Sequence, residues 1–146
     1  MRDDFTEEVK RNLAARVNYL CSNPECCAQT AGPREDSARS VNIGVAAHIT
    51  SAAPGGPRYN RLLSAEQRCH SDNGIWLCQN CAKMIDNDVL RFTETLLRTW
   101  KRRAEDHARN SLGKTAAVGL QTTTIVQLPE SESERKRRAI LPWKGK

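Results

Sequence analysis

The sequence predicts a small α+β domain, with a helix at each end of a region of short strands and paired cysteines. Apolar residues at helical spacing occur at the beginning and at the end of the first 113 residues. The apolar runs between these two regions are short and partly β-branched. A chain of 146 residues suffices for one ordinary domain and a tail. We therefore expect an amphipathic helix over 1–20, a core domain over 21–113 and a linker or partner-binding tail over 114–146.

Periodicity and turn residues place the individual elements. The first helix is predicted from about Asp4 to Leu20, with Asp4 and Glu7 spaced like a capping box. Two apolar stretches are predicted strands, and a short helix follows the second; their ranges are Val41–Ile49, Gly74–Cys78 and Gln79–Asp86. Thr93 is expected to cap a last long helix that closes the domain near Gly113.

Composition limits the classes of function. Hydrophobic residues make up 38% of the chain, below the usual share of roughly 45–50%, so a stabiliser besides apolar burial is expected. The net charge of +6 and the pI near 9.2 favour an anionic partner such as nucleic acid. No apolar run approaches the ~18 residues of a membrane span, and the acidic opening segment is unlike a secretory signal. We therefore expect a cytoplasmic protein without a membrane partner.

Two cysteine pairs supply the missing stabiliser. Cys21 and Cys26 form a C-x4-C pair, and Cys78 and Cys81 form a C-x2-C pair. Zinc prefers four such ligands in a tetrahedron, and its binding free energy offsets the cost of closing the long loop between the pairs. The sequence therefore predicts a structural Zn²⁺ site, with unrelated buried thiols as the alternative. Two further cysteines, Cys27 and Cys69, are expected at the surface or the edge of the core.

The residues between and after these pairs carry a family resemblance. The segments AAHITSAAPGGPRYN and SDNGIWLCQNCAKMID resemble the HNH nucleases, the zinc-containing branch of the ββα-metal or His-Me finger fold. The resemblance implies two antiparallel strands and a helix around one divalent ion. It also implies an endonuclease that hydrolyses phosphodiester bonds in DNA, with His48 as the general base and Asn73 orienting it. RNA is the other substrate open at this point.

The chain departs from that family pattern at two positions, where Ala47 and Ala82 replace usual metal ligands. Asp86 lies one helical turn beyond Ala82 and is the candidate ligand for a catalytic Mg²⁺ or Mn²⁺. The two alanines also motivate an alternative, a zinc-stabilised module that binds nucleic acid without cutting it. A further alternative is an effector domain of a bacterial defence or mobile-element system, joined to a protein partner through the tail after Gly113.

Three arginines in the connection after the first strand are candidate nucleic-acid contacts. They are Arg58, Arg61 and Arg68. Guanidinium groups bind phosphate oxygens without reading base sequence, so these residues would position the nucleic acid rather than select it. A solvated basic face is the alternative interpretation.

Overall fold

The computed structural model describes residues 2–114. Its α-helices and strands, in chain order, are α1 (Glu7–Arg16), β1 (Ala31–Pro33), β2 (Ser40–Asn42), β3 (Gly44–His48), α2 (Ala65–Cys69), β4 (Gly74–Cys78), α3 (Gln79–Asn87) and α4 (Glu94–Ser111). A 3-10 turn, Ser71–Asn73, directly precedes β4. The fold is mixed α+β with two small antiparallel sheets. One compact unit extends to Gly113, and the predicted tail from residue 115 onward lies outside the described residues.

The first helix is shorter than predicted. It begins after Thr6, whose side-chain hydroxyl accepts a hydrogen bond from the Val9 amide, so the expected Asp4–Glu7 capping box was wrong. The helix ends before Asn18 and Tyr19, which have positive φ angles of 54° and 59°. Left-handed backbone cannot continue a right-handed helix, and Leu20 consequently lies in a bridge with Gln29.

The predicted strand over Val41–Ile49 divides into two. The Ile43 amide donates to the Thr30 carbonyl at 2.8 Å, and the Gly44 amide donates to the Asn42 side-chain oxygen at 3.0 Å. The first bond extends the β1–β2 pairing to Ile43, and the second occupies the Gly44 amide where β3 begins, so β2 pairs with β1 and β3 pairs with β4. The β3–β4 pairing runs antiparallel from Gly44 opposite Cys78 to His48 opposite Gly74.

The β3–β4 sheet buries both of its faces. Ile75 and Leu77 point to one face and pack with Ile85 of α3 and Leu97 of α4. On the opposite face, the intervening Trp76 packs with Leu13 and Ala14 of α1 and with Val17, the residue that ends this helix. This alternation follows from the two-residue period of a strand. The central sheet therefore lies between α1 on one side and α3 with α4 on the other.

The predictions for the elements from Gly74 onward are confirmed, whereas α2 was not predicted. The strand Gly74–Cys78 has the predicted bounds, and α3 ends one residue beyond its predicted end. Thr93 caps α4, with its hydroxyl accepting from the Leu96 amide. Among residues 2–114, none of the helices combines the length and apolar character needed to cross a membrane.

Candidate functional site

Four cysteine sulfurs meet at one end of the β3–β4 ladder. The Sγ atoms of Cys21, Cys26, Cys78 and Cys81 all lie within 4.8 Å of one another. Sulfurs bound to zinc at about 2.3 Å in a tetrahedron are about 3.8 Å apart, and the Cys26–Cys78 separation is 3.8 Å. That distance is far longer than a disulfide bond. The sequence prediction is thus confirmed to this extent: the four cysteines form one cluster that could hold a metal such as zinc.

Local backbone structure places each sulfur of this cysteine cluster. The Cys26 and Cys27 amides both donate to the Asn23 carbonyl, which closes a tight turn between the first two ligands. In the second pair, Cys78 is the N-cap of α3 and its sulfur accepts from the Cys81 amide at 3.4 Å. The Asn23 side chain also donates to the Cys81 sulfur at 3.3 Å. Such donors stabilise thiolates and orient metal ligands.

Burial opposes ionisation of the two buried thiols, Cys21 and Cys81, when no positive charge compensates. Cys78 differs, because hydrogen bonds from the Cys81 amide and neighbouring thiols outweigh its burial and lower its pKa. Burial raises the pKa of Cys81 to about 11, although the hydrogen bond from Asn23 acts in the opposite direction. Burial likewise raises the pKa of Cys21. A divalent cation reverses this balance, because it binds thiolates directly and displaces their protons.

The two remaining cysteines lie apart from the cluster, as predicted. Cys27 is exposed, and its thiol donates to the Asn23 and Pro24 carbonyls. Cys69, at the end of α2, is partly buried and its thiol donates to the Glu66 carbonyl. Cys27 has a positive φ of 50°, and this turn directs adjacent thiols in different directions.

His48 lies at the opposite end of the same ladder. Its ring is stacked on Phe5, with centroids 3.9 Å apart and planes 7° from parallel. Its Nε2 atom is 3.0 Å from the Asp3 carbonyl oxygen. Because a carbonyl oxygen can only accept, Nε2 must carry the proton, and Nδ1 is the nitrogen with a free lone pair in the neutral ring.

Burial also determines the charge of His48. It lowers the pKa of His48 below the ordinary value of 6.5, and the positive charge of Arg2 acts in the same direction. The Asp3 hydrogen bond and the carboxylates of Asp4 and Asp86 partly counteract this shift. The imidazole is therefore neutral at physiological pH, as a proton acceptor must be.

Asn73 holds the backbone that follows His48. Its side-chain oxygen accepts from the Thr50 amide at 3.0 Å and from the Thr50 hydroxyl at 2.8 Å. Its side-chain nitrogen donates to the Thr50 and Arg68 carbonyls, both at 2.9 Å. The Asn73 carbonyl accepts from the Ile49 amide at 2.8 Å. The buried side chain therefore uses its full hydrogen-bonding capacity on Thr50 and Arg68, and the Asn73 carbonyl holds Ile49.

His48 and Asp86 line the same cavity, which has a volume of about 460 Å³. Its wall includes Arg2, Ala47 and Ala82, and the loop from Ser51 to Pro57 contributes most of the remaining lining. Asp86 is the carboxylate among the lining residues, and its side chain is 52% exposed. A titratable base and an acidic oxygen thus open onto one space.

The prediction that Arg58 contacts nucleic acid requires an exposed guanidinium, and the structure buries it. Its side chain is only 5% exposed and pairs with Asp86 at 2.9 Å. The same guanidinium donates to the carbonyls of Ile49, Ile85 and Phe92. Every one of these partners belongs to the protein, so the prediction for Arg58 was wrong. Arg58 instead links the end of β3 to α3 and to the segment after α3.

The other two predicted arginines differ from each other. Arg68 is also committed internally: its Nε donates to the Asp3 carboxylate at 2.7 Å, and its Nη1 donates to the Leu63 carbonyl. Its guanidinium lies 5.6 Å from the centre of the Tyr59 ring. Arg68 therefore does not present a free guanidinium for phosphate. Arg61 is exposed, so among the three predicted arginines it remains the candidate for a contact with phosphate.

Sequence reasoning missed the residues before α1. The helix predicted from Asp4 includes Phe5, and the sequence assigns no role to Asp3, yet both contact the His48 ring. Thr6 was the available signal, because as the N-cap it starts the helix at Glu7 and leaves Asp3 and Phe5 before it. A scan against protein-family models finds no match, and neither does a search of curated proteins.

Proposed function

We propose that the chain is an HNH-type, divalent-metal-dependent endonuclease that hydrolyses phosphodiester bonds in DNA. The observation that carries the proposal is that a neutral, partly buried His48 shares one cavity with Asp86. The order of elements agrees with it, since β3, β4 and α3 form two antiparallel strands followed by a helix. The sequence motifs quoted above run through these same elements.

His48 is the general base of the proposed reaction. Its Nδ1 lone pair takes a proton from the water that attacks the scissile phosphate, while the Nε2 proton stays hydrogen-bonded to the Asp3 carbonyl. Asn73 fixes the backbone directly after His48 and thereby limits movement of the ring relative to the cavity. A correctly held base contributes about 10²- to 10⁴-fold to the rate of such reactions.

Asp86 is the residue that would hold Mg²⁺ or Mn²⁺. One of its carboxylate oxygens is paired with Arg58 at 2.9 Å, which leaves the other oxygen for a cation. A single carboxylate suits Mg²⁺, which usually keeps several waters and takes further ligands from the substrate phosphate. When bound, the ion would supply Lewis-acid stabilisation of charge on the phosphate and leaving oxygen.

The cysteine cluster is assigned to structural zinc. It lies at the end of the ladder opposite His48, so it does not meet the substrate in this proposal. Its role is to join the turn after α1 to the start of α3, because Cys21 and Cys26 belong to the former and Cys78 and Cys81 to the latter. The cluster thereby holds the end of β4 and the start of α3, the helix that carries Asp86, against the turn after α1.

A plasmid-cleavage assay tests the proposal. Wild type should nick or cut DNA with Mg²⁺ or Mn²⁺, and His48→Ala should reduce the rate by at least about 10²-fold, the lower range for loss of a general base. His107→Ala is the matched control, because His107 is an exposed histidine of α4. Equal cleavage by wild type and His48→Ala would reject the assignment. A parallel assay with RNA identifies the preferred nucleic acid.

A second candidate is a zinc-stabilised nucleic-acid-binding module without nuclease activity. It is favoured by the cavity itself, where Ala47 and Ala82 offer no ligand and Arg58 neutralises Asp86. Calorimetry of the zinc-loaded protein with Mn²⁺ separates the two candidates without measuring activity. A weak second site that disappears in Asp86→Asn supports the nuclease, whereas DNA binding with no second metal site supports the module.

A further inference from the structure

The residues before α1 form a cover over one face of the His48 ring. We refer to residues Arg2–Phe5 as the leading segment. Phe5 is 5% exposed and belongs to the apolar cluster that joins α1 to Trp76. Its ring lies flat on the imidazole of His48, so the position of that imidazole depends on residues more than 40 positions earlier in the sequence.

Asp3 is fixed through three separate groups. Its carbonyl accepts from His48 Nε2, its amide donates to the Ala52 carbonyl at 3.1 Å, and its carboxylate accepts from Arg68 at 2.7 Å. The carboxylate and the guanidinium are both largely buried, with side chains 19% and 14% exposed. A buried, charge-assisted pair of this kind has one favoured geometry. Arg68 thus fixes Asp3, whose carbonyl then fixes the imidazole.

From these contacts we infer that Asp3 and Phe5 are positioning residues that hold His48 as its Nε2–H tautomer and leave Nδ1 as the basic nitrogen. The catalytic part of this inference rests on the proposed function, in which His48 is the general base. It also gives Arg68 a role in place of the predicted phosphate contact. The His48 site is incomplete without the leading segment, because β3, β4 and α3 supply neither the stacking ring nor the Nε2 acceptor described here.

Nitrogen NMR of the full-length, zinc-loaded protein tests the arrangement independently of activity. With ¹⁵N-labelled histidine, the His48 signals are those absent from a His48→Gln spectrum. Wild type should show a protonated Nε2 with an observable, exchange-protected proton, and an unprotonated Nδ1. His107 serves as the exposed reference. A proton on Nδ1 of His48, or an Nε2 proton that exchanges as fast as that of His107, would overturn the inference.

Two substitutions test the named residues. Asp3→Ala removes the anchor to Arg68, and Phe5→Leu keeps an apolar side chain but loses the stacked ring. Each should cause loss of the protected Nε2 proton. Asp4→Ala is the matched control, because Asp4 is 61% exposed and pairs with the exposed Arg2. Zinc content and thermal melting identify variants that misfold. If one of them misfolds, the same measurement is made on a chain that lacks residues 2–4.

Kinetics then connect the arrangement to the reaction. If wild type cleaves DNA, Asp3→Ala and Phe5→Leu should lower kcat by about 10- to 100-fold, as expected for a misplaced base. KM should be unchanged, because neither residue is assigned a contact with DNA. Unchanged kcat in both variants would overturn the positioning role. A protected Nε2 proton in a wild type that cleaves nothing would support the arrangement and reject the nuclease.

Discussion

The two ends of the β3–β4 ladder are built from different kinds of interaction. At one end, four sulfurs cluster around a space that could accept a metal. At the other end, roughly 13 Å away for strands of five residues, His48 is held by a stacked ring and a backbone carbonyl. One end depends on four side chains of one type, whereas the other depends on varied groups from distant parts of the chain.

This difference shows which features of a site can be read from sequence. The cysteine cluster is visible because the ligand type and the spacing within each pair are local properties, and each pair lies on its own tight turn or helix start. The surroundings of His48 are not local. Asp3 and Phe5 contact the His48 ring only because α1 and the β3–β4 sheet pack together.

The largest expected effect is at the cysteine end, where Cys26→Ser and Cys27→Ser form a matched pair of adjacent substitutions. Cys26→Ser removes one sulfur of the cluster, whereas the Cys27 thiol lies outside it and donates to backbone carbonyls. Structural zinc contributes about 10–16 kcal/mol of apparent binding free energy in small domains. Cys26→Ser should therefore lose stoichiometric zinc and cooperative unfolding, and Cys27→Ser should retain both.

Metal analysis and thermal melting followed by circular dichroism measure these properties on the same preparations. Retention of one zinc and the wild-type melting temperature in Cys26→Ser would show that the cluster does not stabilise the fold. The cysteine end of the ladder would then not be the end that depends on a metal for its stability.

An intermediate effect is expected at the histidine end from Asn73→Ala. The substitution removes four hydrogen bonds and leaves the buried Thr50 amide and Arg68 carbonyl without those partners. A loss of about 2–4 kcal/mol in the free energy of unfolding is expected, because unsatisfied buried polar groups are costly. Zinc content should stay at one per chain, since Asn73 is at the end of the ladder away from the cluster.

Urea denaturation measures the change, and Asn60→Ala is the control. The side-chain oxygen of Asn60 accepts one hydrogen bond, from the Leu62 amide, in an exposed turn. Its substitution should cost less than about 1 kcal/mol. If Asn73→Ala costs no more than Asn60→Ala, the buried network does not hold the loop after His48. If zinc is lost together with the network, the two ends are not independent.

The same locality explains which parts of the fold could be predicted. The strand Gly74–Cys78 and the Thr93 cap lie in short sequence windows with one strong signal each, and both were found. The first helix was overextended because its apolar spacing continues past the residues that end it. Asn18 and Tyr19 adopt left-handed backbone, and nothing in their side chains requires that conformation.

Arg58 shows the limit of reading charge from sequence. An arginine in a loop rich in glycine and proline is usually solvated, and the prediction followed that expectation. Here the loop folds back so that the guanidinium meets three backbone carbonyls and Asp86. Carbonyl positions depend on tertiary structure rather than on residue type, so sequence patterns do not reveal such a partner set.

The smallest expected change in stability concerns the contact between α1, which follows the leading segment, and α4. Arg16 of α1 donates two hydrogen bonds to Glu105 of α4, at 2.9 and 2.8 Å. Together with Lys101, this contact lowers the pKa of Glu105 to about 2. A carboxylate with a depressed pKa stabilises the fold above its ordinary pKa of 4.5, and that stabilisation is lost as the pH falls towards 2.

Glu105→Gln should therefore reduce the free energy of unfolding by about 2 kcal/mol at pH 7 and by almost nothing near pH 2. The full pKa change corresponds to roughly 3 kcal/mol, but the Arg16 side chain is 47% exposed and solvent screens the pair. Glu94→Gln, which breaks an exposed pair with Arg98 on α4, should cost less than about 0.5 kcal/mol at either pH. Urea unfolding at both pH values measures the difference. A Glu105→Gln cost that does not change with pH would show that packing, rather than charge, holds α1 against α4.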